Sequence, residues 1–164
     1  MATLLEGPCA RMPYYTDIGV VYDAFGGRLN QFSWLVTGGQ HTSYFGPDAI
    51  HSADGDATWL TGTQFDAFAK SVHRLVDWGV FSGFPSDAVL DVDNLQVYPY
   101  ADGNPQFWVA NPTIQHPQAE IEIVCFDTAL VLLLCRDEAL EWTFREHFPE
   151  AVDLVEYNRR HLEN

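Results

Sequence analysis

The chain has 164 residues, the length of one ordinary domain, and 47% of them are hydrophobic, which excludes intrinsic disorder. The longest strictly apolar run, residues 129–135, is far too short to span a bilayer. The 23 acidic and 8 basic residues give a formal net charge of −15, which disfavours binding to nucleic acid or to an anionic membrane. We expect one domain over residues 1–164, with residues 1–12 as a candidate flexible arm.

The first part of the chain is predicted to contain short strands. Alternating apolar residues over positions 16–22 indicate a strand, or a strand that leads into a short helix. Residues 32–37 are typical of a strand that ends at a pair of glycines. Further short strands are expected at residues 43–45 and 58–60, on either side of a polar loop.

The clearest helical pattern follows these strands. Thr63 is expected to cap a helix in which apolar residues recur every three or four positions, and Gly79 is expected to end it. Beyond the helix, the residues ADGN from Ala101 indicate a hairpin between strands at residues 97–100 and 107–109.

The last third of the chain has the strongest pattern. Two strands are predicted at residues 120–126 and 130–135, followed by a helix over residues 138–148 and a final short helix over residues 151–160. Together these elements predict an α+β domain, a mostly antiparallel sheet with two or three helices packed on one face.

Three carboxylates of the predicted hairpin raise the question of catalysis. Asp127 lies between the two strands, where Asp followed by Thr is typical of a tight turn, so we expect a turn residue rather than a catalytic acid. Glu120 and Glu122 have the same strand parity, and we expect both on a solvated face of the sheet.

The amino terminus and the cysteines indicate the cellular compartment in which the protein is expected. The first residues contain no basic stretch before an apolar one, so they do not resemble a secretory signal, and we expect a cytoplasmic protein. Cys9, Cys125 and Cys135 are an odd number without zinc-site spacing, which indicates small buried thiols. We therefore expect no disulfide framework, no metal site and no cofactor.

Acidic and aromatic side chains are interleaved in the middle of the chain. Between Arg74 and Arg136 there is no lysine or arginine. The acidic pairs Asp54 with Asp56 and Asp91 with Asp93 raise the alternative of a divalent cation or a shared proton. Aromatic anchors surrounded by charge are typical of protein interfaces. The candidate binding residues are Asp54, Asp56, Trp59, Asp91, Asp93, Tyr98, Tyr100 and Asp102.

A resemblance to a known group of proteins lies mainly between residues 88 and 158. It is carried by AVLDVDNLQVYPY and by AEIEIVCFDTALVLLLCRDEALEWTFREHFPEAVDLVEYN. In the second stretch a strand ends in Asp127 and Thr128, an apolar strand ends in Cys135, and a helix closes with FxxxFP at residues 144–149. The chain resembles small bacterial immunity proteins of interbacterial toxin systems. The resemblance implies a cytosolic inhibitor of a secreted toxin domain and transfers no catalytic residue.

Charge, aromatic residues and resemblance together predict a toxin inhibitor rather than an enzyme. Its partner would be a cognate toxin domain with a basic surface, and a nuclease or deaminase is favoured because a cleft that holds phosphates is cationic. Acidic loops would cover that cleft, and aromatic side chains would anchor the contact. Two alternatives stay open: an acidic DNA mimic that blocks a DNA-binding protein, and a small carboxylate-dependent hydrolase.

Overall fold

An antiparallel sheet forms the centre of the molecule. The structure is a computed structural model, and it describes residues 1–14, 16–38, 57–71 and 75–162. In these residues the strands are β1 (Ala2–Glu6), β2 (Phe32–Thr37), β3 (Thr58–Leu60), β4 (Gly79–Pro85), β5 (Ile121–Phe126), β6 (Leu130–Cys135) and β7 (Val152–Asp153). The helices are α1 (Ile18–Asp23), α2 (Gly62–Lys70), α3 (Glu138–His147) and α4 (Leu154–Leu162). The strand order is β3-β2-β4-β5-β6-β1-β7, and the predicted α+β class is confirmed.

The hairpin of β5 and β6 lies near the middle of the sheet. Its strands pair from Ile121 with Cys135 to Phe126 with Leu130. Asp127 and Thr128 have φ angles of 52° and 53°, and the N–H of Ala129 donates to the carbonyl of Phe126 at 3.2 Å. Both central residues of this β-turn therefore lie in the left-handed region, as the tight turns of hairpins require. The prediction that Asp127 forms a turn is confirmed.

The first face of the sheet is the one that carries Ile121, Ile123 and Cys125 of β5. These side chains are fully buried in a cluster with residues of α1, α2 and α3, including Phe65 and Phe144. Each large apolar side chain buried in this way stabilises the fold by about 1.5–3 kcal/mol. The predicted placement of helices on one face is confirmed for α1, α2 and α3.

The second face carries the alternate residues of the same strands, such as Val124 of β5 and Leu132 of β6. It is covered by α4 and by residues 86–118, which we call the crossing segment. Phe107 of the crossing segment and Leu154 of α4 are buried in one cluster with these strand residues. Since both faces are covered, β5 and β6 are buried on both sides, which explains their nearly continuous apolar sequence.

Two helix boundaries and one hairpin differ from expectation. Helix α2 begins at Gly62 because Thr61, not Thr63, is its N-cap and forms a capping box with Gln64. It ends at Lys70, and Gly79 is the first residue of β4, so the predicted helix end was wrong. The predicted strands at residues 97–100 and 107–109 are absent from the described structure, where a 3₁₀ turn at Pro105–Phe107 follows the ADGN turn.

The amino-terminal residues also differ from expectation. Residues 1–12 were a candidate flexible arm, but Ala2–Glu6 form β1, which pairs with β6 over five residues and with β7 over two. In the part of the chain that the structure describes, every helix is too short or too polar to cross a membrane. The expected strand at residues 43–45 lies outside the described residues.

Candidate functional site

The crossing segment carries the acidic surface that the sequence predicts. Its four aspartates are all exposed, and it contains no lysine or arginine. They are Asp87, Asp91, Asp93 and Asp102. Because the segment itself contains no lysine or arginine, these carboxylates give it a negative potential.

Two tyrosines of the crossing segment are exposed beside these acids. Tyr98 is 39% exposed and Tyr100 is 41% exposed. The hydroxyl of Tyr98 accepts a hydrogen bond from the N–H of Gly38 at 3.2 Å, which ties the segment to the end of β2. Each tyrosine combines an apolar ring with a polar tip, a combination that suits an anchor at a protein interface.

The crossing segment is attached to the sheet by the carboxylate of Glu122. This residue was expected on a solvated face, and that prediction was wrong, because Glu122 is fully buried beneath the segment. Its Oε1 accepts from the N–H of His116 at 3.1 Å and from the hydroxyl of Ser82 at 3.2 Å. Its Oε2 accepts from the N–H of Gln115 at 2.9 Å. One carboxylate thus joins β4, β5 and the crossing segment.

Burial and hydrogen bonding act on the pKa of Glu122 in opposite directions. Loss of solvation raises the pKa above its ordinary value, and the N–H groups of Gln115 and His116, with the hydroxyl of Ser82, offset part of that rise by stabilising the carboxylate. No second carboxylate is among these partners. The geometry is that of a buried structural acid that satisfies backbone donors.

The ring of His116 is buried beside this carboxylate. It packs edge-on against Phe84, with 4.8 Å between ring centres, and its Nδ1 lies 3.3 Å from the N–H of Gln118. Burial lowers the pKa of His116, which favours the neutral ring. A neutral ring with its proton on Nε2 accepts at Nδ1, as the N–H of Gln118 requires.

Thr37 and Asn158 attach the rest of the crossing segment to the fold, and Asn104 stabilises the segment from within. The hydroxyl of Thr37 donates to the carbonyl of Pro99 at 2.7 Å, and Nδ2 of Asn104 donates to the carbonyl of Tyr100 at 2.8 Å. From α4, Nδ2 of Asn158 donates to the carbonyls of Phe107 at 2.7 Å and Val109 at 2.8 Å. The irregular backbone is thereby positioned without strand pairing.

The predicted site residues fall into three groups. Asp91, Asp93, Tyr98, Tyr100 and Asp102 belong to the crossing segment and are exposed. Trp59 of β3 is half-buried and lies 5.3 Å, ring centre to ring centre, from Phe84. It packs in the same apolar cluster as Leu90, Val92 and Leu95 of the crossing segment, so it supports this surface from beneath. Asp54 and Asp56 lie outside the described residues.

Sequence reasoning overlooked two exposed residues of the same segment. Asp87 belongs to the same run of uncompensated acids, which is the signal that would have found it. Val89 is 94% exposed and lies with Asp87 in a shallow groove of about 280 Å³. The chain turns after β4 and leaves the side chain of Val89 in solvent. The alternation of apolar and polar residues in the sequence does not predict this exposure.

Three features of the described residues bear on catalytic chemistry. They contain no group of three or more His, Cys, Asp or Glu side chains arranged to hold a metal ion. Burial raises the pKa of both Cys125 and Cys135, which keeps these thiols protonated and unreactive. Asp91 accepts a hydrogen bond from Nδ2 of Asn94 at 2.9 Å, a local contact within a 3₁₀ turn.

Comparison with known proteins identifies no relative. No protein-family model, no curated protein and no solved structure matches the chain. The resemblance to immunity proteins therefore stays a prediction.

Proposed function

We propose that this protein is an immunity protein that binds a cognate bacterial toxin domain and covers its basic active-site cleft. The crossing segment supplies the contact, with Asp91, Asp93 and Asp102 as the charged residues and Tyr98 and Tyr100 as the anchors. The observation that supports this most directly is the exposure of these five residues on one segment that has no lysine or arginine.

The way the segment is attached also supports a binding surface. Hydrogen bonds from Thr37 and Asn158 and to the Glu122 carboxylate position its backbone before any partner arrives. A surface that is already ordered loses less conformational entropy on binding, so more of its contact energy appears as affinity.

The charge favours a toxin that acts on nucleic acid. A nuclease or deaminase must hold phosphates, so its cleft is cationic and complements the aspartates of the crossing segment. Complementary charge mainly increases the rate of association, by about 10- to 1000-fold at low salt. Such an inhibitor would act in the cytoplasm of the producing cell, where it meets toxin that enters from neighbouring cells.

The test is co-expression of this chain with the toxin domain encoded beside its gene. Wild type should restore growth and co-purify with the toxin. The triple variant Asp91→Asn, Asp93→Asn, Asp102→Asn should associate at least about tenfold more slowly at low salt, measured by surface plasmon resonance. A toxin that is neither bound nor inhibited by the wild-type chain would refute the proposed function.

A matched control separates the effect of the crossing segment's charge on association from the effect of net charge. The variant Glu6→Gln, Asp23→Asn, Glu150→Gln removes the same number of charges from exposed positions away from the crossing segment. It should associate nearly as fast as wild type. Equal slowing in both triple variants would locate the effect in net charge and would contradict the assignment of the contact to the crossing segment.

A further inference from the structure

Trp142 differs from the other tryptophans in its exposure. All five tryptophans lie in the described residues: Trp34 is buried, and Trp59, Trp78 and Trp108 are half-buried. Trp142 is 69% exposed on the outer side of α3. An indole is among the largest apolar groups a protein can leave in water, and exposed tryptophans are over-represented at binding hot spots.

Trp142 lines a groove of about 710 Å³. The other lining residues are Met1, Glu138, Glu141, Arg145 and Glu146. Three carboxylates therefore outnumber the guanidinium of Arg145 and the amino group of Met1. That amino group is engaged, since it donates to the carbonyl of Cys135 at 2.9 Å. An aromatic face among excess carboxylates complements a cationic side chain.

The carboxylates are placed by helix geometry and by a neighbouring strand. Glu138 and Glu146 lie four residues before and after Trp142, which puts one on each side of the indole along the helix axis. Glu141 accepts a hydrogen bond at 2.8 Å from the hydroxyl of Thr3 in β1, which orients its carboxylate. The groove is thus formed by elements of the folded core rather than by a loop.

We propose that this groove binds an arginine or lysine side chain presented by a basic segment of a protein partner. The cation lies over the indole of Trp142, and the carboxylates of Glu138 and Glu146 receive its N–H groups. Arginine is favoured because its planar guanidinium stacks on the ring while it still donates to carboxylates. The inference is independent of the proposed function, because α3 packs on the first face of the sheet and the crossing segment covers the second.

The probe is a six-residue arginine peptide, titrated into the full-length ¹⁵N-labelled protein. Wild type should show a selective shift of one indole N–H signal, assigned to Trp142 by its absence from the Trp142→Phe spectrum. Trp142→Ala should weaken peptide affinity by about 3- to 10-fold. A six-residue glutamate peptide should not shift the signal.

Matched variants test the role of the aromatic face. Trp142→Leu keeps an apolar side chain without the π system and should bind as weakly as Trp142→Ala. Val89→Ala, which truncates an exposed apolar residue on the crossing segment, should bind like wild type. The inference is overturned if Trp142→Leu and Trp142→Ala retain wild-type affinity. It is also overturned if only the Asp91→Asn, Asp93→Asn, Asp102→Asn variant loses binding.

Discussion

The backbone N–H of His116 donates to the carboxylate of Glu122 at 3.1 Å, although both residues are buried and lie on different layers of the molecule. This hydrogen bond, with its neighbour from Gln115, joins the crossing segment to β5. The segment that carries the candidate binding surface is therefore positioned by an acid that solvent does not reach.

Replacing Glu122 tests this attachment. In Glu122→Gln the amide nitrogen takes the place of one acceptor oxygen, so a buried donor of the segment or of Ser82 loses its partner. We expect a loss of about 1–3 kcal/mol in the free energy of unfolding, measured by urea denaturation. The half-buried Glu120, which has the same strand parity, is the control. Glu120→Gln should change the free energy of unfolding by less than about 0.5 kcal/mol.

The pH dependence of the same variant has a defined sign. The pKa of Glu122 is raised in the folded protein, so the folded state binds its proton more tightly than the unfolded state does. The stability that this proton contributes is fully present below the ordinary pKa of 4.5, and it is lost as pH rises through the pKa of Glu122 in the folded state. The stability of wild type relative to Glu122→Gln should therefore decrease with rising pH above that value. A difference that increased with pH would contradict the raised pKa.

The buried ring of His116 gives the opposite pH dependence. Its pKa is lowered on folding, so its contribution to stability is present above the ordinary value of 6.5 and is lost as pH falls through the folded pKa. We expect the free energy of unfolding to fall less in His116→Gln than in wild type between about pH 7 and pH 5. Denaturation curves recorded across this pH range measure the difference. An unchanged slope in the variant would show that another group is responsible.

Asn158 provides a test from the other end of the crossing segment. Its amide donates to the carbonyls of Phe107 and Val109, and the Asn158→Ala variant leaves both without this donor. We expect a loss of about 1–3 kcal/mol in stability, since Asn158 is buried. Hydrogen exchange should accelerate in residues 101–110 more than in β5. Uniform acceleration across the sheet would mean that the segment does not open separately.

The turn of the central hairpin offers a stabilising substitution. Thr128 has a φ of 53°, a conformation that is unfavourable for a β-branched residue. Thr128→Gly should raise the free energy of unfolding by about 0.5–1 kcal/mol, because relief of this strain exceeds the added entropy of the unfolded chain. The reference substitution is Ala129→Gly, whose φ is not positive, and it should not stabilise. Thermal denaturation of both variants measures the difference.

Local sequence patterns were sufficient to predict several of the strands and helices. The strand pattern of residues 32–37 before two glycines, the apolar run in residues 130–135 and the helical pattern over residues 138–148 all predicted elements that the structure contains. They succeed because the local residue preferences there agree with the conformation that tertiary packing selects. The predicted end of α2 was wrong because apolar residues continue beyond Lys70 at a spacing that is compatible with a helix.

The sequence by itself determined the fold class, the central hairpin and an acidic middle region, since these follow from periodicity, turn residues and charge. Only the tertiary structure decided that Glu122 is buried, because the crossing segment that covers it is neither strand nor helix and has no periodic signal. It also decided which acids and aromatics share one exposed segment. Trp142 is left in water because the packing of α3 on the sheet buries Leu140 and Phe144 and turns the opposite side of the helix outward.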